Sequence, residues 1–279
     1  MKRVTVIAWA AAVVLGCAAS ALAIPTQYGD TGLLTQPTAD TLNAGNICVG
    51  LWANQATGGV EGDSIIVPVS LTLGLGSFLE AYGSYPNLLF NDDELSSGRG
   101  YANAGFKLRI LGKRASSFKL AIDGQGRRYI SDNPAFDGLT DYMGRLIASF
   151  KPGRFGIHAN AGYVSSDSPE GFEFEDQYVY GGGIEIYPMA RLRLLAEIEA
   201  YTEKIKGSSG PEEATFGVQY YASPHLTLNL GVGIGLSDTS PDWRAIVGFS
   251  SCQGIGTYTR PIPKIVEPVA EETKQQAEP

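Results

Sequence analysis

Charge is scarce in this chain. Asp, Glu, Lys and Arg together supply 18% of its 279 residues, against roughly 25% in ordinary soluble domains. The balance is acidic, with a formal net charge of −8. No basic stretch stands out, which speaks against a nucleic-acid partner. There are two histidines, three cysteines and three methionines. The CxxC, HExxH, Walker A and GxSxG spacings are all missing, so no metal or cofactor is expected. Beyond the first thirty positions no apolar run reaches the roughly 18 residues of a transmembrane helix. What is abundant is glycine, at 35 residues, and tyrosine, at 14. The glycines follow no Gly-X-Y period, which excludes collagen, and the aromatics argue against disorder.

The N-terminus carries an address. Met1-Lys2-Arg3 is followed by an apolar run from Val4 to Gly16 and then by Ala21-Leu22-Ala23. These are the n-region, h-region and cleavage site of a secretory signal peptide over residues 1–23. Val14-Leu15-Gly16-Cys17 offers a second reading, a lipoprotein site ending at Cys17. Either way the protein is expected to be exported.

Past Ala44 the chain keeps returning to period-2 alternation, the mark of strands with two unlike faces. In Leu226–Leu236 aliphatics occupy every even position, with Thr, Asn or Gly between them. About twelve such segments lie near 44–53, 64–73, 78–85, 100–111, 117–129, 142–151, 155–164, 177–187, 192–203, 213–221, 226–236 and 243–252. Most approach the roughly 9–11 residues that cross a bilayer at a tilt. Short turns such as Pro152-Gly153 alternate with long acidic loops such as 165–176. This is the pattern of an all-β, transmembrane, antiparallel up-and-down barrel of about twelve strands with periplasmic termini. A soluble sandwich would have shorter strands, with a mode of about 5–6 residues, and Greek-key connections.

The expected organisation is a periplasmic N-terminal segment over 24–43, a barrel over 44–252 and a Pro-rich acidic periplasmic tail over 253–279. The expected location is the outer membrane of a Gram-negative bacterium, in contact with lipid and lipopolysaccharide. Leu194, Ile198, Leu228, Leu230 and Val232 should face lipid. In a closed barrel the first and last strands pair. Cys48 and Cys252 then share the inward face and the periplasmic end, where a disulfide is feasible; two unpaired thiols are the alternative.

Two stretches carry a resemblance. Gly32-Leu-Leu-Thr-Gln-Pro-Thr-Ala39 resembles the opening of several Gram-negative barrels. Leu226 to Ser250, with Gly235-Leu-Ser-Asp-Thr-Ser-Pro-Asp-Trp-Arg244, resembles the last hairpin of the outer-membrane transporter-like family named for the meta-pathway of phenol degradation, and that of some OmpA-type barrels. The resemblance implies that Phe249 is the terminal aromatic read by the barrel-insertion machinery.

The lumen is the informative surface. Alternation points Lys107, Arg109, Lys119, Arg127, Arg145, Arg193 and Arg244 inward. It does the same for Glu80, Asp123, Glu185, Glu197 and Glu199. Basic groups concentrate on segments 100–151 and acidic ones on 177–203, across the barrel from each other. Facing charges of this kind either bridge a lumen or line a polar pore. Lumen glycines, among them Gly183, Gly217, Gly231 and Gly233, leave room. A narrow channel for small solutes is therefore expected; the alternative is a non-conducting structural barrel that presents loops outside and a tail inside. An enzyme is not expected. If Pro152-Gly153 is a two-residue turn, Ile147 sits opposite His158, Ser149 is only a diagonal neighbour, and no carboxylate orients the ring.

Overall fold

The computed structural model describes residues 24–59, 63–87 and 100–254. The 1–23 leader and nearly all of the 253–279 tail lie outside them. Thirteen strands form one antiparallel sheet. They are β1 (Asn46–Thr57), β2 (Ser64–Ile66), β3 (Val69–Gly74), β4 (Leu79–Tyr85), β5 (Gly100–Leu111), β6 (Phe118–Ile130) and β7 (Thr140–Phe150). Next come β8 (Phe155–Ser165), β9 (Gln177–Met189), β10 (Leu192–Tyr201), β11 (Glu212–Tyr221), β12 (Leu226–Gly235) and β13 (Trp243–Gly254). From β3 onward each strand pairs with its successor, β1 pairs with both β2 and β3, and β1 pairs with β13 to close the ring.

The wall is twelve strands around. β2 and β3 both pair with β1, above and below one another, and occupy one position. The sequence suggested a single segment over 64–73. Pro68 breaks it, because proline has no N–H to give the ladder. Its carbonyl still accepts from the Trp52 N–H at 2.9 Å.

Alternation sorts the side chains as expected. On β12, Thr227 and Asn229 are buried in the lumen while Leu230 and Val232 face out. Leu194, Ile198 and the half-buried Leu228 also point outward. Two aromatic girdles frame the aliphatic belt. Phe78, Phe118, Phe150, Phe155 and Tyr220 are exposed beside the short turns; Tyr142, Tyr163, Tyr178, Tyr180 and Trp243 are exposed towards the long loops. Such girdles mark the two interfaces of a transmembrane barrel. Leu230→Arg places a charge on the lipid face, at a cost of about 2–4 kcal/mol near the midplane. The expected outcome is a sharp loss of the folded, heat-modifiable band on gel electrophoresis after refolding into vesicles.

One expectation is overturned. Residues 24–43, anticipated as a periplasmic lead-in, run inside the barrel, and nearly all of them are buried. Ile24 packs on Tyr187 and Tyr221, and Leu42 on Cys48 and Cys252, so both ends of the segment sit at the short-turn mouth. Its apex is the Thr26–Asp30 turn, where Gly29 takes φ +98° and fits against the Gly83 backbone. The physical reason is polarity. Thr26, Thr31, Thr35, Thr38 and Thr41, with Asp30 and Asp40, need hydrogen-bond partners, and a charged, glycine-lined lumen supplies them.

Candidate functional site

This segment, hereafter the plug, occupies the lumen at mid-depth. Leu33 and Leu34 enter an apolar patch formed by Trp52, Leu195 and Ile246. A Cβ on Gly183 would overlap Leu33 Cδ1, and one on Gly217 or Gly231 would overlap Leu34 Cδ1. The space left by Gly183, Gly217 and Gly231 is thus filled by the plug leucines, whereas a Cβ on Gly233 would meet Glu213 and Arg244 of the wall.

Wall carboxylates hold the plug backbone. Glu197 on β10 accepts from the N–H groups of Leu34 (2.5 Å), Thr35 (2.9 Å) and Gln36 (2.9 Å), and from the Thr35 hydroxyl. Glu80 on β4 accepts from the N–H of Thr31 (2.9 Å) and Leu42 (2.6 Å) while pairing with Lys107 at 3.0 Å. Wall donors take the plug carbonyls. Lys107 Nζ donates to Thr31 O (2.5 Å), Arg193 to Gly32 O (3.1 Å) and Gln219 to Leu33 O (3.2 Å).

The two plug carboxylates sit on wall cations. Asp40 lies 2.6 Å from Lys119 and 3.2 Å from Lys151. Asp30 lies 3.2 Å from Arg145, which also holds Asp123 at 2.7 Å. Asp123 accepts in addition from the Tyr82 hydroxyl at 2.5 Å. Lys107, Arg109, Lys119, Asp123, Arg145, Glu185, Arg193 and Glu197 are all buried on the lumen side. The plug lies between much of the basic and acidic walls, and Lys151 reaches Glu185 directly at 2.7 Å.

Arg127, Glu199 and Arg244 sit higher, in a vestibule above the plug. This cavity of about 350 Å³ has Tyr28 among its lining residues, with Tyr101, Tyr201 and Lys204 around it. Arg127 and Lys204 share Asp141, at 3.5 and 3.1 Å, and Arg244 pairs with Glu213 at 3.0 Å. The Tyr201 hydroxyl donates to Glu199.

The 147–158 hairpin has a different register from the one expected. Phe150 pairs with Ile157 and Ser149 with His158, a slip of two residues, because the connection is longer than Pro152-Gly153 alone. Ser149 Oγ is consequently 2.8 Å from His158 Nδ1, and His158 Nε2 is 3.3 Å from Glu185. The Ser oxygen also accepts the Ala39 N–H at 2.8 Å, and Glu185 is paired with Lys151 (2.7 Å) and with Arg193. The trio lies against the plug, with His158 Nε2 and Glu185 Oε1 in ion-pair contact but without a hydrogen bond of their own. Lys151 is a lumen base that alternation missed, because it belongs to a turn.

Cys48 and Cys252 stand opposite each other in the β1–β13 register and are joined by a disulfide. Phe249 faces lipid towards the short-turn end of β13.

Closure of the sheet, an aliphatic belt between aromatic girdles and a charged lumen define the class: a transmembrane β-barrel of the outer-membrane type. No family model matches the chain, and no curated protein matches it in sequence. Solved structures do match. An outer membrane channel from Pseudomonas putida F1 aligns with TM-score 0.60 at 10% identity, over 77% of this chain and 98% of that one. The KdgM porin in complex with disordered oligogalacturonate aligns with TM-score 0.54 at 10% identity, over 73% and 98%. The NanC porin aligns with TM-score 0.52 at 9% identity, over 74% and 98%.

Proposed function

We propose that this chain is a channel for small solutes in the outer membrane of a Gram-negative bacterium, and that residues 24–43 are its gate. One observation carries the reading. The lumen is filled by a segment outside the sheet, held by polar contacts and by leucines seated on wall glycines, with both ends at one mouth. A purely structural barrel can be as narrow as about eight strands, which wall side chains alone fill. Here the wall leaves a path and a removable element occupies it. The wall glycines and charged lumen also fit a transporter-like relationship to the phenol meta-pathway family, which the C-terminal hairpin suggested.

The test is planar-bilayer recording. Wild type is expected to stay closed for most of the record. The doubly substituted full chain Leu33→Gly/Leu34→Gly loses the apolar anchor without changing charge, and stepwise openings should become frequent. Silence in both proteins, with the barrel verified as folded by heat modifiability, would favour the non-conducting structural barrel instead.

A further inference from the structure

We infer that the plug is a built-in competitor for the channel's solute, and that Asp30 and Asp40 occupy two carboxylate-binding subsites of the conduction path. This rests on the channel reading above and names the solute class: small molecules bearing carboxylates.

The first subsite is Lys119 with Lys151. Both ammonium groups are buried, and both converge on the Asp40 carboxylate, at 2.6 and 3.2 Å. The second is Arg145, whose guanidinium is also buried and reaches Asp30 at 3.2 Å. With the plug in place these buried cations need anionic partners, because an unpaired buried charge is costly; Lys151 also has Glu185 at 2.7 Å and Arg145 has Asp123 at 2.7 Å, whereas Lys119 pairs with Asp40.

Charge accounting gives the same answer. Around the plug the wall supplies six bases: Lys107, Arg109, Lys119, Arg145, Lys151 and Arg193. It supplies four acids: Glu80, Asp123, Glu185 and Glu197. Asp30 and Asp40 bring the acids to six, and the plug segment 24–43 contains no Lys or Arg. Withdrawal of the plug therefore leaves an excess of two positive charges in the lumen: Lys119 loses the carboxylate it pairs with, while Lys151 keeps Glu185 and Arg145 keeps Asp123 but each gives up a second carboxylate. Rings of Lys and Arg select anions in pores. The Lys119–Lys151 pair suits one carboxylate with an oxygen on each ammonium. The Arg145 fork already carries Asp123 and accepts a second.

The experiment uses the full chain with Leu33→Gly/Leu34→Gly, whose openings report the pore. In a potassium chloride gradient the reversal potential should show chloride preferred over potassium. Succinate should block the open current, and neutral succinamide should not. Adding Lys119→Gln and Lys151→Gln is expected to bring the selectivity to near unity and to raise the half-blocking succinate concentration about tenfold or more, as loss of a charge-assisted contact predicts. In the otherwise wild-type chain, Asp40→Asn weakens the internal competitor, so openings should become more frequent. Openings that prefer potassium, equal block by succinate and succinamide, or indifference to the two Lys substitutions would each overturn the inference while leaving the channel intact. A complete lack of openings would overturn the channel reading, and the subsites with it.

Discussion

Glu197→Ala is expected to open the lumen more than any other single change. The carboxylate takes three plug N–H groups and one hydroxyl, all buried. Hydrogen bonds to a charged group are each worth about 1.5–3 kcal/mol, and part of that returns when the released groups meet water. A net loss on the order of 3–5 kcal/mol against the closed state would raise the open-to-closed ratio by roughly 10²–10⁴. Glu197→Gln keeps one carbonyl acceptor and should fall between. Two readouts check this. Open probability should rise in the order wild type, Gln, Ala. Emission from Trp52, which packs on the plug leucines, should shift to the red as water reaches it. A folded Glu197→Ala barrel with wild-type open probability would show that the plug is held by something else.

The second large effect belongs to the seam. β1 and β13 are the two ends of the chain's sheet, and their pairing closes the barrel. The Cys48–Cys252 bond spans 204 residues of sequence. Cross-linking so long a loop restricts the unfolded chain, with a chain-entropy value of about 5 kcal/mol and typical measured values of about 2–4. Cys48→Ser/Cys252→Ser should lower the unfolding midpoint in urea, and reduction of wild type should match it. Because Leu42 packs on the two cysteines, the plug's lower end should loosen too, and the variant should conduct more than wild type. Equal stability of oxidised and reduced protein would mean that strand pairing alone secures the seam.

Most of the wall was legible from the sequence. Period-2 alternation located every wall strand and separated Leu230 from Asn229, because lipid and lumen differ sharply in polarity. It also brought Cys48 and Cys252 to one face and one end. It failed where period carries no information. A slip of two residues keeps each side chain on its face, so the pattern could not tell Ile147 from Ser149 as the partner of His158. The 64–73 segment hid a break at Pro68, although the proline was in plain view. The plug was not legible at all. Residues 24–43 have neither a 2.0 nor a 3.6 period, and their threonines and glutamines look the same in a solvated loop and in a charged lumen. The available clue was on the wall, where Gly183, Gly217 and Gly231 cleared a space for something to fill. Alternation assigned the lumen charges a face but not their partners, because Asp30 and Asp40 come from outside the sheet.

The plug leads straight into β1 through residues 43–45, so even when withdrawn it remains on a short leash. A ligand tethered this closely acts at an effective concentration of about millimolar. Free solute must outcompete that standing concentration to hold the path open. A molecule with one carboxylate would do so only when abundant, whereas one that engages Lys119, Lys151 and Arg145 together would succeed at far lower levels. In the proposed gating the leash sets a threshold, so that the barrel would respond to how much solute is present and to how many of its groups bind at once.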